Sequence, residues 1–520
     1  MDSSGDGKSN KTAFKTLNEA IGASSNDDII MIASGQYTGE NNIGVTIYKN
    51  LNFIKYGDGE AIFDARGLGR IWTVSASSIN ITGLTFKNGK ANNGGAIYFK
   101  NDIFNSNIYA NFINNIATRS DGGANVFQRG ISGSNISGVY VNNTAARFGG
   151  ANYFNFIVSG SNVSGVYVNN TAVTFGGANL FEDAIFGSNI SGSYINNKAT
   201  RKDGGANYFE NIVSGSNVFG VYANNTAAGS GGANFFGFTV SGSNVFGVYA
   251  NNTAAGSGGA NYFGFSVSDS NVDGIYINNA ASNATICFED SLDIDSDANM
   301  NANIINAIFL NNKCGYEIYL STEGSVVVKD SWFGNNASNY MNKPNINDNV
   351  KIDNWLFLNA TADYSSFLIM DSSNITFKLY STDGRYVDNS KLPVVNLTLT
   401  AINGDVDKTT TLDKIVKYMA TEYGKGSVTA KIENASYTIC FDNILRNVDL
   451  SVSAQNITYL ENEILTLTYN NTATGKINIT LKSKNYNKII KADINQTITI
   501  ADLPAGKYGV TIRYSGDNVF

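Results

Sequence analysis

Apolar and polar residues alternate along short stretches of this chain, and the stretches themselves repeat. Between Gly94 and Asn279 a unit of the form GGANYF…SGSNVSGVYVNNTA recurs. Gly-Gly-Ala begins at Gly94, Gly122, Gly149, Gly176, Gly204, Gly231 and Gly258, in steps of 28, 27, 27, 28, 27 and 27 residues. A second marker, Ser-Asn-(Ile/Val), keeps the same steps, with Asn107, Asn135, Asn162, Asn189, Asn217, Asn244 and Asn271. Two markers in phase define a solenoid. Each unit is rich in Val, Ile, Tyr, Phe and Asn, has glycine at its corners and lacks proline, so it predicts short strands and tight turns. Such a unit cannot bury its apolar side chains alone. Stacked on its neighbours, with parallel strands about 4.8 Å apart, it can. The expected architecture is all-β: a parallel β-helix with one coil per repeat. The extra residue of the longer steps falls in Arg119-Ser120-Asp121 and Arg201-Lys202-Asp203, which marks a loop.

The flanks read differently. Residues 12–22 predict an amphipathic helix, with Phe14, Leu17, Ala20 and Ile21 on one face, Thr12 as cap and Gly22 as stop. A helix there covers the open end of the stack. Strands are expected at Ile29–Ile32, Val45–Tyr48 and Leu51–Ile54. Aligning Ile79–Phe86 with Asn162–Val168 matches Ile81, Leu84 and Phe86 to Val163, Val166 and Val168, and Thr85 to Tyr167. That alignment sends the Val positions inward and the Tyr positions to solvent. Beyond Asn279 the repeat decays, keeping Phe-x-Asn-Asn corners at Phe309-Leu310-Asn311-Asn312 and Phe333-Gly334-Asn335-Asn336, and the helix is expected to end between Trp355 and Ala362. From about Asp371 longer alternating strands predict two small antiparallel sandwiches. The domains expected are a β-helix over 1–365 (cap 1–35, regular coils about 94–280) and sandwiches over 370–449 and 450–520.

Composition narrows the function classes. A net charge of −7 without a dense Lys/Arg cluster argues against nucleic acid as partner. No apolar run is long enough to span a bilayer. Three cysteines, Cys287, Cys314 and Cys440, are too few and scattered for a disulfide framework or a zinc site. Low charge with abundant Asn, Gly and β-formers suits an extracellular protein. No signal peptide follows Met1, and strand-like sequence still runs at Tyr514–Phe520, so the expectation is a segment of a longer protein with export signal and anchor elsewhere. A cytosolic protein is the alternative.

Asp6-Gly7…Ala13-Phe14-Lys15-Thr16-Leu17…Asp28-Ile29-Ile30, followed by Ser34-Gly35-Gln36-Tyr37-Thr38-Gly39, resembles the cap and first coil of pectin-lyase-like right-handed β-helix proteins. Gly94-Gly95-Ala96-Ile97 with Phe112-Ile113-Asn114-Asn115 is similar to the repeat of polymorphic outer-membrane proteins. Over nearly its whole length the chain resembles the large adhesin-like surface proteins of methanogenic archaea, in which such a helix precedes immunoglobulin-like repeats. Leu503-Pro504-Ala505-Gly506-Lys507-Tyr508 and Tyr514-Ser515-Gly516-Asp517 are similar to the final strands of those Ig-like domains. The resemblance implies right-handedness, a cell-surface location and an adhesive role. It departs from the family pattern where Ile97 gives way to Asn125, Asn152, Asn179, Asn207, Asn234 and Asn261, which stacks amides able to hydrogen-bond along the helix axis.

The chain contains no histidine, which removes Ser-His-Asp and Cys-His nucleophilic sites and His-ligated metals. Carboxylates and arginines still suffice for a lyase or glycosidase. Glu182 and Glu210 follow the Phe of consecutive coils and should lie roughly 5 Å apart, a separation that suits a retaining pair. With Asp183 beside them and Arg201 near, they are the catalytic candidates; two solvated carboxylates on a loop is the plainer reading. Arg119, Arg147 and Arg201 precede Gly-Gly and either meet an acidic polysaccharide or solubilise a turn. Asp293, Asp295 and Asp297 imitate the start of a calcium loop, but Ala298 and Ile304 occupy its glycine and glutamate positions. A lone acidic turn is favoured there, a looser calcium site being the alternative, and no other cofactor is expected. Tyr140, Tyr167, Tyr194, Tyr222, Tyr249 and Tyr276 recur once per coil; facing outward, they form an aromatic strip about 25 Å long suited to sugars and protein partners. A purely structural ladder, or a row turned inward by a one-residue slip, is the alternative. Asn-x-Ser/Thr sequons are dense, among them Asn135, Asn142, Asn162, Asn169, Asn189, Asn224 and Asn251, with Asn374, Asn396, Asn456, Asn478 and Asn495 beyond the coils; only those outside buried ladders can carry sugar.

The expected function is a non-catalytic, monomeric surface adhesin or stalk whose partners are glycans or surface proteins of other cells. A polysaccharide lyase or glycosidase using Glu182, Glu210 and a nearby Arg is the second reading. A structural envelope protein without a ligand is the third.

Overall fold

The computed structural model describes residues 5–290, 299–321, 324–334, 344–385, 387, 390, 392, 394–432, 435–469, 472–517 and 520. They form two units, Met1–Phe357 with Ser381–Pro393, and Leu358–Tyr380 with Val394–Phe520.

The first unit is a parallel β-solenoid. Each regular coil contributes a strand to three sheets. The longest strands, such as Asn135–Val141 and Asn189–Ile195, form the long sheet. A two-residue strand such as Thr144–Ala145 follows at the corner. A three-residue strand such as Asn152–Phe154 makes the third side. Among the described residues the third sheet counts eleven strands, from Val45–Ile47 to Tyr316–Leu320, and the corner sheet seven, from Lys90–Ala91 to Thr253–Ala254. Pairing joins equivalent residues of successive coils in parallel register: Asn152 with Asn179, Thr144 with Thr171, Tyr140 with Tyr167. The residues Arg119–Asp121 and Arg201–Asp203 lie outside the strands, as the 28-residue steps predict.

Glycine and asparagine shape the coil. The second glycine of each Gly-Gly-Ala lies where backbones of adjacent coils nearly touch; a Cβ on Gly150 would sit 2.0 Å from the Gly177 carbonyl oxygen. At the opposite corner the first Asn of each pair (Asn142, Asn169, Asn196, Asn224, Asn251) is left-handed, with φ of 55–56°, a conformation Asn tolerates better than other side chains. The turn points the second Asn inward. Asn197 donates Nδ2–H to Asn225 Oδ1 (3.0 Å) and to the Tyr167 carbonyl (2.9 Å), and its Oδ1 accepts from Asn170 Nδ2 (3.0 Å) and N (3.1 Å). The column continues unbroken from Asn115 to Asn312.

The amides that replace Ile97 form a second buried ladder, Asn125 to Asn261, each step 3.0 Å. It is bounded by Ile97 and Ile286, which leaves Asn125 Oδ1 and Asn261 Nδ2 without a partner. An outer ladder on the long sheet, Asn52 to Asn271, donates in the opposite direction, toward the preceding coil. Between the buried ladders lie two stacks of rings. One runs from Phe99 through Phe127, Phe154, Phe181, Phe209, Phe236 and Phe263 to Phe288 with centroids 4.4–5.1 Å apart. The other contains the six repeat tyrosines at 4.7–4.9 Å.

The tyrosines therefore face inward, against the expectation: all six are 0% exposed. The reason is one residue. Ile81 does align with Ile108, Ile136 and Val163, but the register slips between Thr82 and Leu84, where Gly83 takes φ of 75°. Beyond that bulge Phe86, not Thr85, is in line with Phe112, Tyr140 and Tyr167. A strand shifted by one residue exchanges its two faces. Val139 and Val166 face solvent instead, 36% and 40% exposed. The glycine two residues before each Tyr leaves room for the rings, since a Cβ on Gly165 would lie 3.3 Å from both Tyr140 and Tyr167.

A short helix, α1 (Leu17–Ala23), precedes the first coil and buries Leu17 and Ile21 in the solenoid core. It starts later than the sequence pattern implies. Thr16, not Thr12, is the N-cap, in a capping box with Glu19, and Ser24, not Gly22, ends it while Lys49 Nζ binds the Ile21, Gly22 and Ser24 carbonyls. Without these side chains at its two ends, so short a helix would leave most of its backbone groups unpaired.

The second unit is built from antiparallel sheets. In one, Ala435–Leu445, Gly424–Ile432, Asn396–Ile402 and Thr409–Thr411 follow each other antiparallel, with Ser366–Leu368 added parallel at the edge. Tyr418 packs on Phe441 with centroids 4.6 Å apart. Further on, Ser451–Ser453, Glu463–Thr468 and Ile498–Ile500 form one sheet, and Tyr486–Asp493, Lys476–Ser483 and Gly509–Tyr514 another, around Leu465, Ile477, Ile479 and Leu481.

Two outcomes follow for the solenoid. Asn197→Ala removes a doubly used amide and strands partners in both neighbouring coils, so chemical denaturation should show a loss of about 3 kcal/mol. Burial holds the six stacked phenols well above the ordinary tyrosine range. A raised folded-state pKa means that stability is complete below the unfolded value of about 10 and falls as pH rises past it. Alkaline titration should show these six ionising only together with loss of the β-sheet circular dichroism. Ionisation of all tyrosines near pH ~10 in a folded chain would contradict the burial.

Candidate functional site on the outer face of the three-residue sheet

The middle residue of each three-residue strand points away from the core. This row runs Tyr98, Val126, Tyr153, Leu180, Tyr208, Phe235, Tyr262 and Cys287. It is covered by residues of the loop before Gly-Gly. Phe175 packs on Tyr208 with centroids 4.4 Å apart, and Phe148 lies 5.5 Å from Phe175, so Val126, Tyr153, Leu180 and Tyr208 form a second small apolar cluster. The rings of Tyr208 and Phe235 stack nearly parallel, 4.8 Å apart, so they offer edges rather than faces to solvent.

Here the structure places three of the charged candidates, Glu182, Glu210 and Arg147. Phe181 and Phe209 are in register, which places Glu182 and Glu210 on adjacent coils as expected. Glu182 is half-buried and accepts a hydrogen bond from the Tyr153 hydroxyl, whose oxygen also lies 2.8 Å from Asn155 Oδ1. Burial, reinforced by the Glu182 carboxylate, pushes the Tyr153 phenol far above its ordinary range. Tyr208 is raised in the same way by burial and by Glu210. Arg147 binds Asp121 of the preceding coil through Nε (2.9 Å) and NH2 (2.8 Å) and lies 4.2 Å over the Phe148 ring. Its bond to Asp121, with a further contribution from Glu182, raises its pKa.

Arg147 is thus an arginine whose charge reaches Glu182. Arg201 is exposed in its loop, and the neighbouring Asp203 accepts the Ser230 N–H at 2.6 Å. Asp183 caps its own neighbour, accepting from Ala184 N at 2.8 Å. Asp293, Asp295 and Asp297 lie outside the described residues, as do Asn335 and Asn336. Among the described residues no three His, Cys, Asp or Glu side chains gather closely enough to hold a metal ion. The partnership of Tyr153 with Glu182 was not read from the sequence, although Tyr153 and Asn155 flank the same Phe that orders the coil. The tyrosine strip expected as a ligand surface is the buried stack described above and presents nothing to a ligand.

Two other carboxyls stand apart. Asp273, half-buried on the long sheet, accepts Ile305 N at 2.7 Å and is pushed by burial up to about 6. Glu317 accepts from Thr285 Oγ1 and Asn312 Nδ2, each at 2.9 Å, and burial pushes it up to about 7. Cys287, Cys314 and Cys440 are free. In the second unit a cleft of about 540 Å³ is lined by Tyr459, Glu463, Leu465, Leu481, Lys507 and Tyr508, among others.

No protein-family profile matches the chain, and no curated protein sequence does. Among solved structures, the D0-D1 domain of intimin is similar over 31% of this chain and 92% of that one, at 14% identity and a TM-score of 0.15. The Yersinia pseudotuberculosis adhesin InvE is similar over 30% of this chain and 58% of its own, at 13% identity and a TM-score of 0.15. A double mutant of the tailspike protein of E. coli bacteriophage HK620 is similar over 79% and 87%, at 11% identity and a TM-score of 0.22. Similarities this distant assign neither substrate nor partner.

The raised carboxyl pKa values generate a stability prediction. Stability contributed by Asp273 and Glu317 is complete below about pH 4 and is lost as pH rises through about 6 and about 7 respectively. Asp273→Asn and Glu317→Gln keep an acceptor oxygen and remove the charge. Each should raise the melting temperature at neutral pH and leave it unchanged at acidic pH. An equal shift at both would show that these carboxyls do not titrate as described.

Proposed function

We propose that this chain is a non-catalytic surface adhesin or stalk, whose solenoid presents columns of repeated side chains to glycans or to surface proteins of other cells. The observation that supports this reading is the pairing of charge on the three-residue sheet. Asp121 is held by Arg147 and Glu182 by Tyr153, so these groups are engaged with the protein instead of converging on an open cleft. A general acid or nucleophile must reach the substrate. A rigid face with uniform columns is what repeated, multivalent binding requires. In the same reading the antiparallel sheets of the second unit are Ig-like spacers, the chain acts at a cell surface, and its origin is archaeal. No helix among the described residues is long and apolar enough to cross a membrane.

The in-register carboxylates Glu182 and Glu210 favour a second reading, a polysaccharide lyase or glycosidase acting on the same face. One experiment separates the two. The chain is incubated with acidic and neutral polysaccharides, with and without calcium, and both retention and release of reducing or unsaturated ends are measured. The expected result is saturable retention of at least one glycan or cell-surface preparation with no release. Turnover lost in Glu182→Gln or Glu210→Gln would replace the adhesin with the enzyme.

A further inference from the structure

Sequons recur in two columns of the solenoid, and the structure separates them. Asn135, Asn162 and Asn189 belong to the outer ladder of the long sheet, where each donates Nδ2–H to the preceding coil at 2.7–2.9 Å. Asn142, Asn169, Asn224 and Asn251 stand at the left-handed corner. All four are exposed, and their side-chain amides have no hydrogen bond among the described residues. The residue after each is an Asn buried in the inner ladder, 0% exposed in every case. That anchor turns the flanking Asn and Thr (Thr144, Thr171, Thr226, Thr253) to the same, outer side. The corner thus offers an open amide and a hydroxyl two residues on, held together by a buried residue between them. At Asn196 the same corner carries Lys198 in place of Thr and lacks the motif.

We propose that this corner column is a set of N-glycan attachment sites, and that the ladder column is not. The donor is a lipid-linked oligosaccharide pyrophosphate. Asn Nδ2 forms a bond to the anomeric carbon of the first sugar, the bond from that carbon to the phosphate oxygen breaks, and lipid pyrophosphate leaves as the amide gives up one proton. Attachment places a bulky, hydrated group on a surface turn, where it disturbs neither sheet pairing nor the buried amides. In the ladder column the same nitrogen already donates to the amide oxygen of the preceding coil. Coils lie about 4.8 Å apart, less than the width of a branched sugar chain, so Asn142 and Asn169 exclude each other, as do Asn224 and Asn251. The column accepts one chain per pair. This inference is independent of what the solenoid binds.

The full chain is passed through a secretory pathway that contains an oligosaccharyl transferase, alongside a control protein with a known open sequon, and glycopeptides are mapped by mass spectrometry. The expected result is carbohydrate on one member of each pair, none on Asn135, Asn162 or Asn189, and loss at each site in Thr144→Val, Thr171→Val, Thr226→Val and Thr253→Val with an unchanged melting temperature. Bare asparagines at all four corners while the control is modified would overturn the proposal. So would carbohydrate on the ladder column, or simultaneous occupancy of both members of a pair.

Discussion

Everything in the solenoid depends on one constraint: strands pair between coils, not within them, and they pair in register. A residue therefore meets its own counterpart every about 4.8 Å, and repetition becomes an interaction. Only some side chains can meet themselves. An amide both gives and takes a hydrogen bond, so an Asn column satisfies itself along its length and is left incomplete only at its ends, as at Asn125 and Asn261. Aromatic rings stack. A column of like charges would repel itself. Where two carboxylates do follow each other, at Glu182 and Glu210, each faces a buried tyrosine hydroxyl.

The same constraint explains an interior that is unusually polar. Two amide ladders and two ring stacks fill space that aliphatic side chains occupy in most cores. Apolar packing alone tolerates a slip between neighbouring coils better than a ladder does, because a displaced amide is left unpaired where no water reaches it. The buried asparagines thus specify the stacking of coils as much as they stabilise it.

The architecture was legible because its signal is periodic. The step lengths located the seven regular coils, the extra residues located the loop before Gly-Gly, and the replacement of Ile97 by Asn implied an axial amide ladder. The direction of the tyrosines was not legible, since a single bulge at Gly83 in an early coil shifts the alternation, and no local pattern distinguishes an inward Tyr-x-Asn-Asn from an outward one. Helix α1 was found but misplaced, because Thr12 and Thr16 are both plausible caps and only the Glu19 side chain selects between them. At the candidate site the register of Glu182 with Glu210 was readable. The partner of Glu182 was not: Tyr153 comes from the preceding coil, and reach depends on side-chain direction rather than spacing.

Residues 213–234 and 240–261 are identical in sequence, and each spans the same stretch of consecutive coils. Recombination between these two copies deletes or inserts 27 residues. Because ladders and stacks pass through each coil unchanged, the product closes onto its new neighbour with every donor facing an acceptor. Length is thus a trait this chain can alter by whole coils in a single genetic event, whereas gaining or losing one strand residue would break the ladders on both sides.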